Sequence, residues 1–289
     1  MDFADDLQRC RTGLVVSGTL LHWLPTVAAV VASGALGGLL AGLLGVGGGI
    51  VIVPVLDAAL ELAGVPSSAA LHVAVATSMA TIIPTSVSSS RSHAKRGSVD
   101  FELMRRWSVP IALGSLAGSL AAARMDARIL AAVFGCVALA AALKMLLPLD
   151  DLVLRRSVPG GVGGAVIPAT IGAVSAMMGI GGGTLSVPTM TLCGEPVHKA
   201  VGTAALTGLW ISVPATAGFL LSPAGDASGL PLTVGYVSLL GFAVIAPVSW
   251  AIAPLGVRLA HSLDRRRLSA AFGVFLTLVA ARMLYRAFA

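Results

Sequence analysis

Two glycine clusters break otherwise apolar sequence in the same way: Gly45-Val46-Gly47-Gly48-Gly49, followed by Pro54, and Gly179-Ile180-Gly181-Gly182-Gly183, followed by Pro188. Glycine inside a helix costs about 1 kcal/mol per residue relative to alanine. Unwound backbone within a bilayer survives only where protein buries it or a cavity meets it. What such a break offers chemically is free N–H groups at the start of the next helix, and these hold anions well. Gly47, Gly48, Gly49, Gly181, Gly182 and Gly183 are therefore candidate contacts for a small anionic substrate. The competing reading is that the glycines only permit close packing and a tight hairpin. Neither cluster is followed by Lys-Ser/Thr, which excludes a nucleotide-phosphate loop.

Hydroxyls and imidazoles supply the other candidates. His72 and His198 each open an apolar segment, and Thr77 with Ser78 in one segment and Thr203 in the other lie about one and a half turns further in. A hydroxyl can donate to an oxyanion, and a histidine that titrates near neutrality can couple a proton. Against this, intramembrane Ser and Thr often bond only their own helix, and a histidine at a segment start can be an interfacial cap. Glu195 and His198 have metal-ligand spacing, but a proline-containing turn separates them and the other half lacks the pair, so no metal is expected. Cys10, Cys136 and Cys193 show no C-x-x-C spacing, and nothing implies a cofactor. Without a Gly-x-Ser-x-Gly motif or a histidine deep in a segment, no enzyme is expected. The thirteen acidic residues fall near segment ends or in loops, which argues against an intramembrane cation site.

These groups must be positioned by membrane-embedded helices. The 289 residues are 56% hydrophobic and only 11% charged, with 34 glycines and 15 prolines, a composition that points to a polytopic membrane protein. The lipid bilayer is thus its main surrounding. The net charge of +6 sits in short clusters between apolar runs, which reads as topology signal and not as a nucleic-acid surface. Thr12 to Leu56 is 45 residues without Lys, Arg, Asp or Glu; as one helix it would reach about 68 Å, more than twice the hydrocarbon thickness. The chain must go in and come back.

The landmarks recur in order. The glycine cluster and its proline return 134 positions later, His72-Val-Ala-Val-Ala-Thr77 is matched by His198-Lys-Ala-Val-Gly-Thr203, and Phe134-Gly135 by Phe272-Gly273. The expected fold class is an all-α polytopic membrane protein of two homologous repeats, each with four to five hydrophobic segments and a glycine-broken helical hairpin. The expected divisions are an N-terminal segment 1–23, a first repeat 24–150 and a second 151–289. The segments run over 24–44, 50–63, 71–90, 107–123 and 129–147, then 158–180, 184–194, 200–222, 232–257 and 268–285. If each hairpin enters and leaves on one side, the repeats are inverted and thirteen Lys and Arg lie on one side against six on the other. Eight spans with parallel halves give twelve against seven.

Through Gly34 to Pro54, Gly172 to Pro188 and the two His-x-Ala-Val-x-Thr stretches, the sequence resembles the sulfite exporter TauE/SafE family over nearly the whole chain. The resemblance implies a multi-pass carrier of the bacterial inner membrane that moves sulfur-containing anions such as sulfite, sulfonates or sulfoacetate. The expected function is a secondary transporter, an exporter, of such anions. Its alternatives are an anion channel or a membrane assembly protein with no transport of its own. The sequence leaves a homo-oligomer open. One departure from symmetry is Ala204 opposite Ser78, which makes hydroxyl donation unequal between the halves.

Overall fold

The computed structural model describes residues 27–43, 45, 47–146, 161–223, 225–227, 230, 232–259 and 265–288; the expected N-terminal segment 1–23 lies outside them. Ten helices occur among the described residues. Those of the first half are α1 Val27–Leu43, α2 Gly49–Leu62, α3 Ser67–Ala94, α4 Phe101–Ala122 and α5 Ala127–Leu146. Those of the second half are α6 Gly161–Met178, α7 Gly183–Leu192, α8 Val197–Leu221, α9 Leu239–Leu259 and α10 Arg265–Phe288. The protein is an all-α membrane protein in which α3, α5, α8 and α9 are each long and apolar enough to cross a bilayer.

Each expected apolar segment overlaps one helix. The expected segment 232–257 starts too early, because Thr233–Val234 and Val237–Ser238 form a small antiparallel hairpin turned by Gly235 at φ +56°. The helix begins only after Ser238, whose hydroxyl accepts the Gly241 N–H at 3.2 Å. That side-chain acceptor satisfies a donor the helix cannot serve and so fixes its start.

The glycine breaks turn the chain. After α1, Gly45, Gly47 and Gly48 all take φ between +67° and +79°, a region only glycine enters without strain. α2 then runs back along α1: Gly48 packs on Gly37, and Ala29 near the start of α1 lines a groove with Leu62 at the end of α2. In the second half Gly179, at φ +68°, ends α6 before α7 begins.

Small residues set the helix spacing. A methyl on Gly38 or Gly42 of α1 would lie 2.5 Å and 2.1 Å from the carbonyl oxygens of Ser249 and Ala253 in α9. On Gly114 or Gly118 of α4 it would lie 2.0 Å and 2.3 Å from those of Ala169 and Ala173 in α6. Backbones in such contact gain dispersion energy that replaces the absent hydrophobic drive between helices in lipid.

The core centres on α3, the most buried of the span candidates, which packs on α8 and α9. At one end of the bundle, His72 of α3 meets the carbonyls of Ala122, the last residue of α4, and of Met125 beyond it, and the Tyr236 hydroxyl donates to the Ala123 carbonyl. At the other end, Asp100 meets α8 and Arg96 donates to the Val257 carbonyl of α9 at 2.6 Å.

Candidate functional site

The two glycine clusters come together. A methyl on Gly47 would stand 2.7 Å from the Gly181 Cα, and one on Gly49 would stand 2.0 Å from the Gly179 carbonyl oxygen. Gly47 also approaches Ile82, Gly49 approaches Ser78, and Gly182 lies against Thr207 and Gly208. The meeting point is therefore level with the middle turns of α3 and α8. All six candidate glycines are buried. The starts of α2 and α7 thus point into the interior of the bundle, where an N–H without an acceptor is costly.

The two helix starts differ in what meets them. Gly48 is pressed on the Gly37 carbonyl of α1, and the Gly179 carbonyl sits directly over Gly49. The Ser78 hydroxyl joins this arrangement by donating to the Gly179 carbonyl at 2.8 Å. At α7, the Ser186 N–H makes the first helical bond, to the Gly182 carbonyl at 2.8 Å. The N–H groups of Gly183, Thr184 and Leu185 meet no acceptor among the described residues, whereas at α2 only those of Gly49 and Ile50 go without, the Val51 N–H already reaching the Gly48 carbonyl at 3.1 Å.

The remaining candidates divide. Thr77 accepts the Ser238 N–H at 2.9 Å, and Thr203 accepts the Asp100 N–H at 2.8 Å. Each threonine therefore fixes the backbone where a helix of the other half begins, α9 in one case and α4 in the other. Of the three hydroxyls singled out from the sequence, the structure brings Ser78 to the glycines and sets Thr77 and Thr203 at helix starts. His72 is buried and its two ring nitrogens face carbonyls of Ser68, Ala122 and Met125 at 2.9 to 3.2 Å. His198 is exposed at the start of α8. The two histidines occupy equivalent sequence positions but unlike surroundings, and neither lies at the glycine clusters.

Two features escape sequence reasoning. The first is an ion cluster: Asp57, fully buried within α2, pairs with Arg286 of α10, while Glu61 pairs with Arg286 at 3.1 Å and Arg282 at 3.6 Å. Arg286 further donates to the Ser67 carbonyl at 2.5 Å. An acidic residue expected near a segment end is thus buried inside a helix, which the cationic partners allow. Those partners come from more than 220 residues away, and single-sequence spacing gives no signal for them. The second is a set of buried hydroxyls without partners, among them Ser86 and Thr184. Their signal was the polarity of α7, where Thr184 and Ser186 stand in the positions that Ile50 and Ile52 hold in α2.

The family follows from comparison with known proteins. Residues 30–283 match the family described as sulfite exporter TauE/SafE. The chain belongs to this family. It is 33% identical over 256 residues to a "Probable membrane transporter protein" of Haemophilus influenzae, covering 88% of this chain and 96% of that one. It is 24% identical over 274 residues to "Probable membrane transporter protein YunE" of Bacillus subtilis, covering 89% and 96%. A third such relative, from Methanocaldococcus jannaschii, is 25% identical over 243 residues, covering 80% and 85%. No solved structure matches the chain. Membership in the TauE/SafE family together with several apolar spans makes this a multi-pass protein of a membrane transporter family.

Proposed function

We propose that this TauE/SafE member is a secondary transporter that exports small anions, sulfur oxyanions or organosulfonates first among them, across a bacterial inner membrane. The observation that carries the proposal is the meeting of Gly47 with Gly181, which sets two glycine-started helices face to face inside the bundle. Backbone N–H groups at such starts attract an anion without a buried cation. Gly47 to Gly49 and Gly181 to Gly183 would present them, with Ser78 beside them. Thr77 and Thr203 would act by fixing α9 and α4.

The two halves are read as inverted repeats that rock against each other about this point. Reciprocal packing supports the reading. α1 lies on α9 as α6 lies on α4, Gly45 approaches Val201 as Gly179 approaches Val75, and the two threonines hold each other's half. The membrane potential, negative inside, favours anion exit by about 2.3 kcal/mol per charge per 100 mV, so even an uncoupled carrier would export.

The test is flux in proteoliposomes of the purified chain, loaded separately with sulfite, thiosulfate, sulfoacetate, acetate or phosphate, with and without a pH gradient. Saturable flux of a sulfur anion is expected. Non-saturating flux would indicate a channel, and no flux of any anion from folded protein would overturn the proposal.

A further inference from the structure

The two halves put different groups at their glycine breaks, and the difference is chemical. At the start of α2 the Gly49 and Ile50 N–H groups meet no acceptor among the described residues, but a carbonyl stands at the break: the Gly179 oxygen lies against Gly49, and the Ser78 hydroxyl is spent on that same carbonyl. The first turn of α2 continues with Ile50, Val51 and Ile52, all buried and apolar. An anion at that end would face a carbonyl oxygen and a wall of methyl groups.

The start of α7 is donor-rich and has nothing to donate to. Gly183, Thr184 and Leu185 carry N–H groups without acceptors among the described residues, on a ten-residue helix whose dipole is positive at this end. Thr184, 9% exposed, has a hydroxyl with no partner. Ser86 of α3, 2% exposed, has none either. The Ser86 hydroxyl lies beside this turn: the point where Gly208 would carry a methyl is 2.5 Å from the Ser86 Oγ and 3.9 Å from the Gly182 nitrogen. Buried polar groups in native proteins are almost always paired, and a cluster of unpaired donors around one helix start calls for an acceptor with several oxygens.

Resting on the anion-transport reading above, the structure assigns the substrate's oxyanion headgroup to the first turn of α7, with Ser86 and Thr184 as its side-chain donors, and not to a point shared equally by the two glycine breaks. A sulfite or sulfonate group presents three oxygens and suits a backbone turn plus two hydroxyls. The planar carboxylate of acetate presents two and would leave a donor unpaired. Specificity for the sulfur anion would then follow from unpaired-donor cost, which discriminates more sharply than apolar fit.

The test is calorimetric binding of sulfite, sulfoacetate and acetate to the full chain in detergent. Ser86→Ala and Thr184→Val are each expected to weaken sulfite and sulfoacetate binding by about tenfold or more, the loss typical of one hydrogen bond to a charged ligand. Thr184→Ser, which keeps the hydroxyl, should stay within about twofold of the wild type. On the unaltered protein, amide resonances of Gly183 and Thr184 should shift on adding sulfite, a readout that does not depend on any variant folding. Binding by wild type that both folded variants retain, or sulfite shifts confined to Gly48 and Gly49, would overturn the assignment and leave anion transport standing. A wild-type chain, shown to be folded, that binds none of the three anions would overturn the assignment together with the anion reading on which it rests.

Discussion

Gly47 and Gly181 stand so close that a methyl on the first would reach 2.7 Å from the Cα of the second. This contact joins the two halves where each has interrupted a helix. The glycines around it are not equivalent. Gly48 has φ +79° and a methyl there would meet the Gly37 carbonyl at 2.4 Å, whereas Gly182 has an ordinary helical φ of −57° and meets the Thr207 side chain at 2.7 Å.

Gly48→Ala is therefore expected to damage folding itself. The left-handed backbone alone costs about 1–2 kcal/mol for a residue with a Cβ, and the neighbouring atoms are backbone that cannot turn aside. Gly182→Ala meets the Thr207 Cγ2 at 2.7 Å and the Gly208 nitrogen at 3.2 Å on a backbone that carries no left-handed strain, so it should cost less stability than Gly48→Ala while losing most flux. Thermal unfolding in detergent beside proteoliposome flux separates the two. Equal loss of melting temperature in both variants would contradict the distinction.

Much of this architecture was legible in advance because its signals are local. Charge-free stretches too long for one span forced hairpins, and each expected segment overlaps a helix. The glycine clusters were legible because their cost in a helix demands a reason. The partners of Thr77 and Thr203 were not, since each accepts from a backbone N–H 161 or 103 residues away. A sequence shows that a hydroxyl is present and not which donor will reach it. Asp57 was misplaced for the same reason: its cations arrive on the last helix.

The threonine positions give a direct test of positioning against substrate contact. Thr77→Val and Thr203→Val each keep the side chain's shape and strand one backbone N–H, at Ser238 and Asp100. Each should cost about 1–3 kcal/mol of stability, the penalty for an unsatisfied buried donor. Thr77→Ser and Thr203→Ser should recover most of it. Hydrogen exchange at the Ser238 amide should accelerate only in the Thr77 variant. Unchanged stability in both valine variants, with flux lost, would return these hydroxyls to the substrate.

The ion cluster makes a prediction of opposite form. Arg286→Met leaves Asp57 buried without its nearest cation and should destabilise by about 3–5 kcal/mol. Adding Asp57→Asn to the same chain removes the unpaired charge and should restore a large share of that loss. The coupling in this double-mutant cycle, read by unfolding, is the interaction between the two groups. Additive losses would mean that Arg286 serves only the Ser67 carbonyl and Glu61.

Asp100 carries the pH dependence at the other end of the bundle. Its carboxylate caps α4 by accepting the Leu103 N–H at 2.9 Å and pairs with Lys199 at 2.8 Å. These contacts, the backbone N–H first and the ammonium second, hold its pKa below the ordinary value of 3.8. A carboxylate with a depressed folded-state pKa stabilises the fold above its unfolded pKa, and that contribution disappears as pH falls through the folded value. The chain should therefore lose stability from about pH 4 downward in part through this one residue. Asp100→Asn keeps an oxygen for the Leu103 N–H but removes the charge, so it should flatten the acid limb of the stability curve while lowering stability at neutral pH. Because Lys199 is 44% exposed, solvent screens the pair, and the change at neutral pH should stay at the modest scale of surface ion pairs. An acid limb as steep in Asp100→Asn as in the parent chain would show that other carboxylates govern it.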